Sequence, residues 1–164
     1  MSRATFAIAA LAVALANLAL FVVTRRLNWR DTRPTPRPVT ISFAVFALIL
    51  LAVGGALLVG IPNVMPWLIS RDTAVLIGWI FLGDAFYFLY AIARPRWSNA
   101  APQLWSFLAY DLMPLPPLAL HAEAVAPHLR TNLTIYLAVL IFSGALAVHY
   151  LLLYPATRLR GRRY

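Results

Sequence analysis

The sequence predicts an all-α integral membrane protein in which five transmembrane helices form one bundle. Hydrophobic residues make up 62% of the chain and charged residues only 12%, whereas a soluble domain is roughly 45–50% apolar. Apolar segments of the length that a helix needs to cross a bilayer, about 20 residues, recur along the whole chain. The 164 residues leave no room for a separate soluble domain, so we expect a single transmembrane domain over residues 1–164.

Short polar or proline-containing connections separate the predicted spans. The first span could be mistaken for a signal peptide, but Arg25 and Arg26 follow its apolar run instead of preceding it, so we interpret it as a retained helix. The inner connector that follows is rich in proline and is expected to be stiff and extended. The five predicted spans cover residues 5–23, 39–60, 73–93, 104–120 and 133–154.

The arginines predict the orientation of the bundle. The chain has 14 basic residues, all of them arginine. Eleven lie in segments 25–37, 94–96 and 158–163, which face one side, and the remaining three lie in segments that face the other side. Because cytoplasmic loops carry the excess of positive charge, we expect the N-terminus outside and the C-terminus inside.

The formal net charge of +9 predicts a lipid partner and not a nucleic acid. The charges lie in short loops and in the tail, next to spans, where the anionic lipids of the inner leaflet are the nearest partner. We expect the chain in the cytoplasmic membrane of a bacterial cell. Small residues at Gly54, Gly55 and 143–145 could also support a homodimer or a larger membrane complex. The arginines expected to contact anionic lipids are Arg25, Arg26, Arg30, Arg158 and Arg160.

Ionisable side chains on three predicted spans lie at one depth. Counting ~1.5 Å per helical residue places Asp84, Asp111 and His149 on the order of 8–14 Å from the inner interface. Ionisable groups within a membrane are costly and usually functional, so this level is a candidate site. With the tyrosines at nearby depths, the candidate ligand-binding or proton-linked residues are Asp84, Asp111, His149, Tyr87, Tyr110 and Tyr150.

The two aspartates have no permanent counter-ion at this depth, because no Arg or Lys occurs there. They could be protonated, could share a proton, or one could pair with protonated His149. The alternative is structural: an intramembrane aspartate can hydrogen-bond a tyrosine or a neighbouring backbone and hold helices together.

Three prolines follow Asp111 within the predicted fourth span. Pro114, Pro116 and Pro117 have no backbone N–H to donate and cannot continue a regular helix without a local change. They could kink the helix or end it early. Alternatively, they could break it and expose carbonyl groups to a cavity, as in the discontinuous helices of transporters.

Several classes of site are not supported by the sequence. The absence of cysteine excludes disulfides, thiolate metal sites and cysteine nucleophiles. His121, Glu123 and His128 have no metal-site spacing, so no metal is expected. A single core histidine does not favour a bis-histidine haem, and no cofactor motif is present, so no cofactor is expected. An enzyme is the least favoured class.

Three functions remain open at this stage. The leading one is a small polytopic membrane protein whose polar pocket, in the inner half of the bilayer, binds a small or lipidic ligand. The second is a non-catalytic accessory subunit of a larger membrane complex, in which the polar residues only hold helices together. The third is a proton-coupled transporter of small solutes.

Overall fold

The computed structural model describes residues 11–12, 15–16, 18–20, 22–23, 31, 33–120 and 122–158. The chain divides into two compact units, Met1–Arg30 and Asp31–Tyr164. In the first unit all described residues are helical and exposed. The first predicted span, 5–23, lies partly outside the described residues. Four of the predicted lipid-contacting arginines also lie outside them: Arg25, Arg26, Arg30 and Arg160.

The described part of the second unit is helical and holds no β-strand. Its α-helices are α1 (Arg37–Val59), α2 (Arg71–Ala93), α3 (Trp97–Leu112), α4 (Leu115–Leu120) and α5 (Arg130–Val148). Two short 3₁₀ helices, Ala122–Ala124 and Pro127–Leu129, precede α5, and a π-helical turn, His149–Leu153, follows it.

Three of the described helical segments are long and apolar enough to cross a membrane. They are Arg37–Val59, Arg71–Ala93 and Pro127–Leu153, and they correspond to the second, third and fifth predicted spans. The fourth predicted span is divided between α3, of 16 residues, and α4, of 6 residues. Neither reaches the roughly 20 residues of a full crossing, so the count of five spans stays a prediction.

The exposed faces of the long helices carry large apolar side chains. Leu48 of α1, Leu76 of α2 and Ile141 of α5 are all more than half exposed. In contrast, the polar side chains of Asp111 and Ser143 are buried. An exposed surface this rich in large apolar side chains is expected of helices surrounded by lipid.

Helices α1 and α2 form a close antiparallel hairpin. A methyl group added to Gly54 would lie 3.0 Å from the carbonyl oxygen of Gly78, and one added to Gly78 would lie 3.0 Å from that of Gly54. The turn begins at Gly60, whose φ of 84° is accessible to glycine and ends α1. Arg71 then donates hydrogen bonds to the carbonyls of Leu57 and Leu58, which lie in the last turn of α1, where carbonyls lack the regular helical donor.

Three arginine-bearing segments meet at the opposite end of the second unit. The backbone N–H of Thr35 donates to Pro95 over 3.0 Å, and that of Trp97 donates to Arg33 over 2.7 Å. The guanidinium of Arg33 donates to the carbonyl of Ala156 over 2.8 Å. These contacts bring together segments that the arginine pattern assigned to one side. Which side of a membrane they face stays a prediction.

Candidate functional site

A cavity of about 850 Å³ lies between the α1–α2 hairpin and the pair formed by α3 and α5. All four helices, the 61–70 loop and the turn after α3 contribute to its wall. Its volume lies within the range of small-molecule sites, roughly 300–1,000 Å³. The wall is mainly apolar, with a few polar side chains, which is the usual composition of a ligand pocket.

Aromatic rings close the cavity at the end nearer the start of α1. The ring centroid of Phe46 lies 5.9 Å from that of Phe88 and 5.0 Å from that of Phe107. The Phe88 and Phe107 centroids are 5.6 Å apart. These distances are those of favourable aromatic pairs. The three rings therefore form a packed apolar floor contributed by α1, α2 and α3.

A loop covers the other end of the cavity. Trp67, in the loop between α1 and α2, packs edge-on against Tyr136 of α5 with 5.6 Å between ring centroids. The side-chain amide of Asn132 donates to the carbonyls of Asn63 and Val64 and so fixes the loop to α5. Both Trp67 and Tyr136 line the cavity.

Asp111 is buried at the interface between α3 and α5. Its side chain is 4% exposed, and Ser143 Oγ donates a hydrogen bond to its Oδ2 over 2.8 Å. The same carboxylate oxygen would lie 3.3 Å from a methyl group added to Gly144. Glycine at this position therefore leaves the space that the carboxylate occupies.

The hydroxyl of Ser143 has three acceptors within reach but only one proton to donate. Besides Asp111, the carbonyl oxygens of Val139 and Leu140 lie 2.9 and 3.0 Å from Ser143 Oγ. An ionised Asp111 takes the serine proton. A protonated Asp111 can instead donate to Ser143 Oγ, while the hydroxyl donates to a carbonyl of its own helix. The geometry thus serves both protonation states of Asp111 without rearrangement.

Asp84 has a different environment, although it lines the same cavity. It lies on α2 and is exposed. Among the described residues, none forms a hydrogen bond or an ion pair with its carboxylate. The cavity thus presents one carboxylate with a partner in the protein and one without.

Two tyrosines add hydroxyl groups to the cavity wall. Tyr110 and Tyr136 both line it, and the side chain of Tyr136 is close enough to Tyr110 and Asp111 to interact with both electrostatically. Tyr136 therefore adds a hydroxyl group to the cavity wall close to Tyr110 and Asp111.

The structure separates the predicted site residues into two groups. Asp84, Asp111, Tyr110 and Pro114 line the cavity. The described lining of the cavity does not include the other five candidates, which are Tyr87, His149, Tyr150, Pro116 and Pro117.

His149 belongs to a separate aromatic group. Its ring centroid lies 4.8 Å from that of Tyr150 and 5.9 Å from that of Tyr154. It lies five residues beyond Gly144, which is about 8 Å along a helix, and so it is not level with Asp111. It begins the π-helical turn that ends this helix. Short π turns interrupt the regular hydrogen-bond ladder.

The prolines occupy three distinct positions. Pro114 lies in the turn between α3 and α4, and its carbonyl accepts a hydrogen bond from the backbone of Leu118. Pro116 and Pro117 are the second and third residues of α4, where the missing N–H would have no helical partner in any case.

Sequence reasoning missed four polar residues of the wall: Gln103, Ser106, Tyr136 and Ser143. A search for polar residues that recur at helical spacing could have found them. Gln103, Ser106 and Tyr110 follow one another at spacings of three and four residues, which places them on one face of α3. Tyr136 and Ser143 are two helical turns apart on one face of α5.

Metal binding has no support in the described part of the chain, which holds no group of three or more metal-ligating side chains.

Comparison of this chain with family models, with curated proteins and with solved structures finds no match to any of them. The geometry of the cavity is therefore the main guide to function.

Proposed function

We propose that this chain is a five-span protein of the bacterial cytoplasmic membrane whose cavity binds a small or lipidic ligand. The observation that carries the proposal is that Asp84 and Asp111, on different helices, line one cavity of about 850 Å³. Ionisable groups within a membrane face a bundle interior or a water-filled space and commonly mark ligand pathways.

The unpaired state of Asp84 favours binding over a purely structural role. An aspartate that only joins helices would contact a hydrogen-bond donor on a neighbouring helix, as Asp111 contacts Ser143. Asp84 lines the cavity and has no such donor among the described residues. A ligand group in the cavity would supply one.

The proposed topology extends the three described crossing helices. Residues 97–120 would form the fourth crossing, with the turn at Met113 and Pro114 inside it, and residues 5–23 the first. The end that joins Arg33, Pro95 and Ala156 would face the cytoplasm, because it gathers the arginine-rich segments. Arg158, which is exposed, would contact anionic lipids there together with the predicted arginines of the preceding loop and the tail.

Saturable photolabelling tests the binding proposal. The protein in lipid nanodiscs is irradiated with a diazirine derivative of dodecanol, and the labelled residues are mapped by mass spectrometry. We expect labels on cavity-lining segments of α1, α3 and α5 to disappear with excess dodecanol, because the cavity has a finite capacity. Labels on lipid-facing residues such as Leu48 should persist, since the surrounding lipid is not saturable.

A cavity-filling variant provides the matched control. Ala109 lines the cavity, whereas Ala138 is exposed on α5 away from it. Ala109→Phe should remove the saturable labelling, and Ala138→Phe should leave it unchanged. Labelling that is nowhere saturable, or that is equal in both variants, would contradict the proposal.

Proton-linked transport is the second candidate, favoured by the arrangement around Ser143. Because that hydroxyl can exchange its acceptor between Asp111 and its own helix, Asp111 can gain or lose a proton at low structural cost. Infrared difference spectra between two pH values should show a carboxyl C=O band that is absent from Asp111→Asn and shifted in Ser143→Ala. An identical spectrum in Asp111→Asn would remove this candidate.

A further inference from the structure

The charge of the cavity wall has one sign. Its two ionisable side chains other than tyrosine are Asp84 and Asp111, and no arginine, lysine or histidine is among the described residues that line it. A negatively charged ligand would find no cationic partner there. A neutral ligand that has no hydrogen-bond donor would leave Asp84 without a partner when it displaced water, which is costly in an apolar site.

Aromatic side chains supply the second feature of the wall. Phe46, Phe88 and Phe107 form the floor, and Trp67 and Tyr136 form the opposite end. The face of an aromatic ring carries negative potential and attracts a weakly hydrated cation such as a quaternary ammonium. Metal ions are a poor match to this wall, because they require several oxygen or nitrogen ligands in one shell.

We propose that the cavity takes a lipophilic organic cation, in which a quaternary or protonated nitrogen carries apolar substituents. This inference depends on the proposed function, because it names the ligand class of the same cavity. The apolar substituents contact the aromatic floor, and the positive charge lies near Asp84.

The two carboxylates have separate parts in this assignment. Asp111 is buried and already accepts a hydrogen bond from Ser143, so it contributes negative potential without needing direct contact. Asp84 is exposed and has no partner among the described residues, so it is the carboxylate that approaches the cation. Asp84 is also the safer residue to substitute, because no hydrogen bond in the described structure depends on it.

A pair of ions of matched size and shape tests the charge preference. Tetraphenylphosphonium and tetraphenylborate carry the same four phenyl groups with opposite charge. Each is titrated against the saturable photolabel in nanodiscs, and the signal of Ala109→Phe is subtracted as the lipid background. We expect tetraphenylphosphonium to displace the label at a concentration about tenfold or more below that of tetraphenylborate, which one desolvated cation–aromatic or charge contact can supply.

Substitutions of Asp84 complete the test. Asp84→Asn should weaken tetraphenylphosphonium binding about tenfold, whereas Asp84→Glu should retain binding. Asp72, in the first turn of α2 and outside the cavity lining, provides the control Asp72→Asn, which should bind normally.

The two proposals fail in different ways. If the label saturates but both ions displace it equally, or if Asp84→Asn binds tetraphenylphosphonium as the unmodified protein does, the cation assignment is wrong and the ligand cavity remains. If the label does not saturate, the proposed function fails and the cation assignment fails with it.

Discussion

The α1–α2 hairpin and the α3–α5 pair are joined by different chemistry. The closest contact in the hairpin is made by the backbones at Gly54 and Gly78. The α3–α5 pair is joined by a hydrogen bond between Asp111 and Ser143. Each pair nevertheless contributes one carboxylate to the cavity between them.

This difference indicates what each carboxylate does. In α3 the carboxylate is part of the helix contact, so its loss affects both packing and the cavity. In α2 the closest approach to the neighbouring helix is made at a glycine, and Asp84 has no structural task among the described residues. Aspartate thus contributes to helix packing at position 111 but not at position 84. This contrast can be tested by substitution.

The largest expected effect is in the hairpin. Gly78→Val would place a branched side chain where even a methyl group lies 3.0 Å from the Gly54 carbonyl and against Leu58. We expect a loss of about 3 kcal/mol in the free energy of unfolding, as in other overpacked interiors. Unfolding in mixed detergent micelles, followed by circular dichroism, would measure it.

A glycine with open space serves as the control for this prediction. A methyl group on Gly55 would meet no atom of the described residues within 4 Å, so Gly55→Val should differ by less than about 1 kcal/mol, mainly through helix propensity. Equal destabilisation by both variants would show that the glycine contact does not hold the hairpin.

An intermediate effect is expected in the α3–α5 pair. A double-mutant cycle with Asp111→Leu and Ser143→Ala should give a coupling of about 0.6–2 kcal/mol, the range for hydrogen bonds between helices in membranes. The free energies of unfolding of the four proteins supply the measurement. A coupling of zero would mean that Asp111 does not contribute to the helix contact.

The smallest effect on stability is expected at Asp84. Asp84→Asn should change the free energy of unfolding by less than about 0.5 kcal/mol, because no described partner is lost. The same cycle with Ser143→Ala should show no coupling. Destabilisation equal to that of the Asp111 substitution would remove the contrast between the two carboxylates and favour a structural role for both.

Sequence reasoning located the hairpin closely. The predicted spans 39–60 and 73–93 differ by at most two residues from α1 and α2. Their limits are set locally, by continuous apolar runs, by the left-handed Gly60 and by Ser70, whose side chain accepts from the Thr73 N–H.

The helix of the fourth predicted span was located less well, because its start depends on tertiary contacts. We expected it to begin at residue 104, whereas α3 begins at Trp97. The polar and proline-containing stretch before 104 resembles a loop, but Trp97 is only 2% exposed and Asn99 donates to the carbonyl of Arg94. Burial of Trp97 offsets the hydrogen bond that Pro102 cannot donate.

This difference also explains the separation of His149 from Asp111. The predicted helix start at residue 104 placed Asp111 about seven residues into its helix. In the structure Asp111 lies 14 residues after Trp97, or about 21 Å. Asp111 therefore reaches the level of Ser143 and Gly144, while His149 lies near the end of its helix. The partner of Asp111 is a serine, which carries no charge and so did not stand out among the ionisable residues of the sequence.

The sequence by itself determined the all-helical class, the helices that are long and apolar enough to cross a membrane, and the presence of costly carboxylates within apolar segments, because length, hydropathy and helix caps act locally along the chain. Only the tertiary structure decided which polar groups meet. Asp111 joins Ser143, while Asp84 has no partner among the described residues at the same cavity, because the rotation and offset of packed helices depend on contacts between residues distant in sequence.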